Sequence, residues 1–333
     1  MLNVGVIGYG YWGPNLVRNL SECEDTSVGV ISDLRPERLA LAKRRHPGAT
    51  VTPDPRALLA DPSLDAIVIA TPVTSHFELV RLALESGKHV LVEKPLTQSV
   101  DQAKTLIDLA LRTSRVLMVD HTFIYTGAVR KVKDILDSGD LGRVYYFDSV
   151  RVNLGLLQSD INVLWDLAPH DLSIMDYWLE KRPATVSAFG SSHVNGLEDI
   201  AYLTFLYQDN TIAHLHVNWL APAKIRRIIL GGSRKMAIYD DMEASEKVKV
   251  YDKGVVMSRA ADPYQMLVQY RAGDMYAPQI STDEALRVEC AHFVDCVTHG
   301  KRPVTDGEAG LRVVELLDAA GRSLRMGGVP QPL

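Results

Sequence analysis

Val4-Gly5-Val6-Ile7-Gly8-Tyr9-Gly10-Tyr11-Trp12-Gly13-Pro14 carries the chain from a short apolar run into three closely spaced glycines. A run this short and rich in valine and isoleucine predicts a strand buried on both faces. Pro14 suits the first turn of a helix, where a missing N–H costs nothing. The spacing of Gly8, Gly10 and Gly13 therefore reads as a strand–turn–helix join. Gly8 permits the tight turn, Gly10 lets the backbone approach a pyrophosphate, and Gly13 lets helix and strand pack closely. The anion would rest on N–H groups at the helix start, beside Tyr11 and Trp12. Asp33 ends the next apolar run, 20 residues after Gly13. A carboxylate there would accept hydrogen bonds from ribose hydroxyls and repel a 2′-phosphate, which favours NAD over NADP. Arg35 keeps NADP open, because a guanidinium can accommodate that phosphate, and a turn-capping aspartate is the other reading of Asp33.

The strand–helix rhythm continues through the first third of the chain. Val4–Ile7, Ser27–Ser32, Ala66–Ala70, His89–Val92 and Val116–Val119 read as buried strands. Pro14–Leu20, Pro36–Arg45, His76–Glu85 and Val100–Leu111 carry apolar residues at helical spacing. Such alternation gives an α/β, doubly wound parallel sheet. From Val144 the pattern changes to period two over Val144–Val152, Ala184–Gly190, Ala201–Tyr207, Thr211–Trp219, Lys224–Gly231 and Lys235–Asp240. Successive strands with few helices between them predict an α+β unit with a mostly antiparallel sheet. The expected division is a dinucleotide-binding domain over 1–121 and an α+β domain over 122–333, to which the family resemblance given below adds substrate binding and oligomerisation. Helices are expected near Pro169–Trp178, over Glu284–Thr298 after the capping box Ser281-Thr282-Asp283-Glu284, and over Ala309–Leu324 after Thr305-Asp306-Gly307-Glu308.

Composition limits the partners. A chain of 333 residues suits two domains of ordinary size. Its net charge of −5 and lack of a dense basic run argue against nucleic acid. Lys43-Arg44-Arg45 and Arg226-Arg227 read as exposed helix or strand charge. No apolar run approaches the ~18 residues of a membrane span. The first residues enter a strand at once, so no signal peptide is expected. Cys23, Cys290 and Cys296 are too scattered for a zinc site or a disulfide framework, and a reducing cytoplasm is the expected compartment.

Two further clusters lie where open α/β sheets bind ligands, at the carboxyl ends of strands. Ala70-Thr71-Pro72 ends the Ala66–Ala70 strand, where Thr71 could bond a cofactor and Pro72 turns the chain away. His76 opens the next helix, facing either the nicotinamide side or solvent. Glu93-Lys94-Pro95 follows the His89–Val92 strand and places an ammonium group in the same crevice.

With these residues in place, the chain resembles the Gfo/Idh/MocA family of oxidoreductases. The resemblance rests on Gly8–Gly13, Ala70-Thr71-Pro72 with His76, Glu93-Lys94-Pro95, Leu141-Gly142 and Asp166-Leu167-Ala168-Pro169-His170. It implies a Rossmann domain, a second domain with an open sheet that forms the face of a homodimer or homotetramer, and hydride transfer between NAD(P) and secondary alcohols of sugars or inositols. It also implies that Lys94 projects at the nicotinamide, that Glu93 belongs to the cofactor site, and that the Lys94–Pro95 bond is cis. Residues four apart share one helix face, so Asp166, just at or before a helix start, and His170, one turn in, would point at the same spot. Histidine exchanges its proton near neutral pH, which suits removal of a hydroxyl proton. His170 is thus the expected general acid/base, Lys94 the group that positions the substrate oxygen, and Asp166 the group that orients one of them. A metal site from Asp166, His170 and Asp171 lacks an obvious fourth ligand, and none is expected.

Two departures matter. Relatives often carry an acidic residue three positions after the histidine, where this chain has Ser173, and Asp171 would point elsewhere around the helix. Relatives also often place asparagine and arginine where this chain has Asp120-His121-Thr122-Phe123-Ile124-Tyr125. His121 is kept as a weaker proton-transfer candidate. Tyr125, Arg151, Asn153 and Trp165 are the expected substrate contacts, and Tyr264, Tyr270 and Arg271 fall in an irregular stretch, Met257–Gln279, able to reach over the site. The Trp165–Ser173 run is most similar to members handling nucleotide-linked sugars, which implies chemistry at C3. A free-sugar or inositol dehydrogenase is the alternative, and a catalytically inactive NAD(P)-binding regulator is the alternative of another class.

Overall fold

The computed structural model describes all residues except Leu156, Ser159 and 260–265, and only the backbone of 256–259 and 266–269. In chain order the first elements are β1 (Leu2–Ile7), α1 (Gly13–Glu22), β2 (Thr26–Ser32), α2 (Pro36–Arg45), β3 (Thr50–Thr52), α3 (Pro55–Ala60), β4 (Ala66–Ile69), α4 (His76–Glu85), β5 (His89–Glu93), α5 (Val100–Thr113) and β6 (Leu117–Asp120). Next come α6 (Gly127–Asp137), β7 (Val144–Leu154), α7 (Val163–Leu179), β8 (Thr185–Ser191), β9 (Ile200–Leu206), β10 (Ile212–Asn218), β11 (Leu220–Gly232), β12 (Met236–Asp240), β13 (Val248–Arg259) and β14 (Met266–Tyr276). The chain closes with α8 (Ala285–His299), α9 (Gly307–Arg325) and β15 (Gln331–Pro332).

Two compact units result, one of Met1–Tyr125 with Asp283–Glu315, the other of Thr126–Thr282 with Leu316–Leu333. The first unit holds a six-stranded sheet ordered β3-β2-β1-β4-β5-β6 with every pair parallel. Val4, Val6, Ile67, Val68, Val90, Leu91 and Val119 are fully buried, as strands covered on both faces require. Local chemistry starts the helices: Ser99 accepts from Gln102 N to cap α5, and Asp54 accepts from Arg56 N to cap α3. The second unit is a nine-stranded sheet, β14-β13-β12-β11-β7-β10-β9-β8-β15, antiparallel except for the β7–β10 pair. Along β8, β9 and β10, Ala188, Leu203, Phe205, Ala213, Leu215 and Val217 are buried while Phe189, Tyr202, Leu206 and Ile212 are exposed. That alternation gives the sheet one packed face and one open face.

The structure departs from the expected division at 121. The first unit extends to Tyr125 and takes back 283–315, which the sequence assigned to the second. The cause is the buried face of α8, where Leu286, Cys290, Phe293 and Cys296 pack in the first unit. The expected cap of α8 also changes. Glu284 is the cap residue and makes no side-chain cap bond; its carboxylate instead receives Arg18 and Asn19. Within that stretch Met257–Arg259 and Met266–Tyr276 are not irregular, since they belong to the paired strands β13 and β14, and Tyr264 lies outside the described residues. Gly254, Gly273 and the charged Lys253, Arg271 and Asp274 interrupt the apolar alternation and hide the strand pattern from the sequence.

A chain ending at Tyr125 would expose the apolar surface that α8 covers. It is expected to show no cooperative thermal transition by circular dichroism, and a sharp transition would show that α8 is dispensable to this unit.

Candidate active site

The first unit brings its candidate residues to the carboxyl edge of the sheet. Gly8 has φ +98°, a backbone that side chains rarely adopt, and a Cβ there would strike the Ala70 carbonyl. Gly13 is equally constrained, because its Cβ would strike the Gly8 carbonyl. Helix α1 begins at Gly13 with Pro14 in its first turn, and no side chain caps it. Uncapped N–H groups behind a glycine turn with no room for side chains fit the pyrophosphate of a dinucleotide. Tyr11 is 86% exposed on this loop, whereas Trp12 turns inward and donates Nε1 to Asp120 Oδ2 at 2.7 Å.

Asp33 is buried at the end of β2, accepting from Tyr9 N (2.8 Å), Arg35 N (2.9 Å) and Arg35 Nε (3.0 Å). Burial alone would push its carboxyl up, but the bonds from Arg35 and Tyr9 outweigh this and hold it below the ordinary value. Arg35 also lies against Gly10, its Nη2 3.2 Å from where a Cβ would stand. The carboxylate and the guanidinium are therefore one unit at the expected ribose position.

His76 takes neither expected orientation. Its ring is fully buried, with Nδ1 2.9 Å from Pro95 O and Nε2 2.8 Å from Thr71 O. It clamps the loop after β4 to the loop after β5, and Ser75 Oγ donates to Thr71 Oγ1 at 2.7 Å beside it. Pro72 leads the chain into the short turn before α4. The Lys94–Pro95 bond is cis, and Lys94 N donates to Glu93 Oε2 at 2.9 Å. Removal from water pushes the Glu93 carboxyl well above its ordinary value, with the Asp120 charge adding to the effect. Glu289 of α8 is raised in the same way, by burial first and by Asp120 next. No local signal in the sequence marks Glu289, because only the fold carries α8 to the ends of β5 and β6.

Tyr125 is buried rather than open to a substrate, its hydroxyl 3.1 Å from Thr305 Oγ1 and its ring 5.6 Å from that of His292. His121 is buried too, and neither ring nitrogen has a hydrogen-bond partner among the described residues.

The second unit holds the remaining candidates. Helix α7 starts at Val163, with Asn162 Oδ1 accepting from Trp165 N at 3.1 Å. Asp166 thus lies in the first turn, Pro169 inside the helix and His170 further along, rather than Pro169 marking the helix start. The proline leaves the Trp165 carbonyl without its helical donor. Asp166 and His170 share one face, and Asp166 Oδ2 accepts from Trp219 Nε1 at 3.1 Å. Trp165 and Asn153 are half-buried. Arg151 is not a free cation for a substrate: it is 3% exposed and donates Nε and Nη2 to Asp171 Oδ1 at 2.9 and 2.7 Å. Asp171 does point away from the His170 face, and Ser173 Oγ donates to His170 O at 2.8 Å. Among the described residues no three His, Cys, Asp or Glu side chains converge as metal ligands, and no helix is long and apolar enough to cross a membrane.

A parallel sheet in this strand order, with an uncapped glycine turn and an acidic residue after β2, defines a dinucleotide-binding fold. Residues 2–121 match the oxidoreductase family with an NAD-binding Rossmann fold, and residues 129–238 match the GFO/IDH/MocA C-terminal domain. The uncharacterized oxidoreductase YdgJ of Escherichia coli is 32% identical over 259 residues, 74% of this chain and 73% of that protein. UDP-N-acetylglucosamine 3-dehydrogenase of Acidithiobacillus ferrooxidans is 26% identical over 316 residues, 94% of each chain. A solved structure of that enzyme superposes with a TM-score of 0.82 at 25% identity, covering 98% of both chains. Myo-inositol 2-dehydrogenase of Thermotoga maritima is 25% identical over 335 residues, 97% of this chain and 96% of that protein. The chain belongs to the GFO/IDH/MocA family and is an NAD(P)-binding oxidoreductase.

Burial, together with Lys94 and Arg312, holds the His121 imidazole down at about 3, while in the unfolded chain it protonates near about 6.5. Between those values the unfolded chain binds the extra proton, so stability falls as pH falls. His89, held down to about 4 by burial and Arg115, acts in the same direction. His121→Phe is expected to lose less of its melting temperature than the parent between about pH 7.5 and about pH 5. Equal losses would show that His121 carries none of this acid sensitivity.

Proposed function

We propose that the chain moves a hydride between NAD(H) and C3 of a nucleotide-linked sugar, with Lys94, His170 and Asp166 as its reacting groups. The observation that carries the sugar assignment is the end-to-end likeness, in sequence and in fold, to a UDP-N-acetylglucosamine 3-dehydrogenase. The second reading, oxidation of a free polyol, draws on the likeness to a myo-inositol 2-dehydrogenase of equal extent. Gly8, Gly10, Tyr11, Trp12 and Gly13 would hold the pyrophosphate, and Asp33 the ribose hydroxyls. Thr71, Pro72 and Glu93 would line the cofactor's reactive end, with His76 fixing the two loops that carry them. The negative charge at Asp33 favours NAD, and Arg35 beside it leaves NADP as the weaker cofactor.

The nicotinamide supplies or accepts the hydride. In the direction of oxidation, Lys94 directs its ammonium at the substrate hydroxyl oxygen and stabilises the charge that grows there. His170, as neutral imidazole, takes the hydroxyl proton through a ring nitrogen, and in reduction the imidazolium returns it. Asp166 lies on the same helix face as His170 and orients it. Assembly as a homodimer or homotetramer through the open sheet face belongs to the same proposal.

Lys94→Ala and His170→Ala should each keep NADH binding, read by fluorescence, while kcat falls about 10²–10⁴-fold. Retained turnover in either variant would remove that residue from the reaction. A panel of UDP- and dTDP-sugars and free polyols with NAD or NADP, followed at the NADH absorbance, separates the substrate readings. Turnover of polyols alone would overturn the nucleotide-sugar assignment.

A further inference from the structure

The face of α7 that meets its sheet is an apolar stripe of Leu164, Ala168, Leu172, Met175 and Trp178 with one charge set into it, Asp171. Asp171 and Arg151 are 2% and 3% exposed, so this is a buried ion pair. Arg151 Nε and Nη2 both reach Asp171 Oδ1, and Ser149 Oγ donates to Oδ2 at 2.8 Å. Ser149 and Arg151 are alternate residues of β7, so both project from the same face of the strand.

Stability does not explain such a pair. Desolvating two charges costs so much that apolar residues of similar volume pack as well or better. What an apolar stripe cannot supply is direction, because Leu, Ala and Met contacts survive small rotations and slides of a helix. Charge-assisted bonds to two strand residues tolerate neither. His170 precedes Asp171 and lies about 100° around the helix from it. Fixing Asp171 on β7 therefore fixes the angle at which the His170 face, with Asp166 one turn earlier, leaves the helix.

We propose that Asp171, Arg151 and Ser149 form a positioning set that holds His170 at its working angle and register. The inference rests on the reading of His170 as the acid/base. None of the three touches the reacting atoms; they act through the helix.

Arg151→Met combined with Asp171→Leu removes both charges and keeps the volume apolar. The melting temperature is expected to equal or exceed that of the parent, with NADH affinity unchanged. The kcat is expected to fall about ten- to a hundredfold, and the acid limb of its pH profile to shift. Arg151→Lys keeps the charge without the two-donor geometry and should lose less kcat at unchanged KM. A double variant that folds and keeps kcat within about twofold of the parent overturns the positioning role. If the double variant does not fold, Ser149→Ala decides: a lowered kcat at nearly unchanged melting temperature supports the role, and an unchanged kcat overturns it. Normal turnover by His170→Ala would instead overturn the reading on which the inference rests.

Discussion

In a parallel sheet covered on both faces, strand side chains are consumed by packing, and polar work is left to the loops at the strand ends. Here the order β3-β2-β1-β4-β5-β6 sets β1 beside β4, where the chain departs in opposite directions and opens a crevice at the carboxyl edge. That edge closes up only because Gly8 and Gly13 carry no Cβ, which lets the turn after β1 lie against Ala70 at the end of β4. His76 then joins the β4 loop to the β5 loop through the carbonyls of Thr71 and Pro95, and Trp12 joins the start of α1 to Asp120 at the end of β6. Four loops from distant parts of the sequence are fixed against one another by backbone fit and a few polar bonds.

The same edge separates charge states. Asp33 is held ionised by Arg35 and Tyr9, at the position expected for the ribose. Glu93 and Glu289, buried near Asp120, are pushed towards their neutral forms, and so is His121. Low-dielectric surroundings remove charge from groups without a strong partner, while dense hydrogen bonding preserves it. Lys94 thus follows a carboxyl group disposed to stay neutral. The second unit treats charge differently, burying Arg151 and Asp171 as a pair at the contact between α7 and β7.

The first unit was legible because its signals are local. Pro36–Arg45 and His76–Glu85 coincide with α2 and α4, and the apolar runs coincide with β1, β2, β4, β5 and β6 to within a residue or two. The remaining elements lie outside the expected set: β3 and α3 are too short to carry a period, and α6 is a regular helix of the second unit. Arg151 looked like a cation available to a substrate, because a sequence shows residue type and strand phase but not what lies across the packed face. Tyr125 and His76 were misplaced for the same reason. Their partners Thr305 and Pro95 are set by chain crossings rather than by spacing.

By itself the sequence determined the glycine turn, the parallel α/β pattern, the mostly antiparallel second sheet and the placing of Asp166 and His170 on one helix face. Each depends on backbone preferences and periodicities that act within a few residues. The tertiary structure alone decided that α8 returns to the first unit, that Glu289 lies near Asp120, and that Arg151 is spent on Asp171. Those outcomes depend on burial, on what a buried charge finds beside it, and on segments far apart in the chain packing together. No local pattern encodes them.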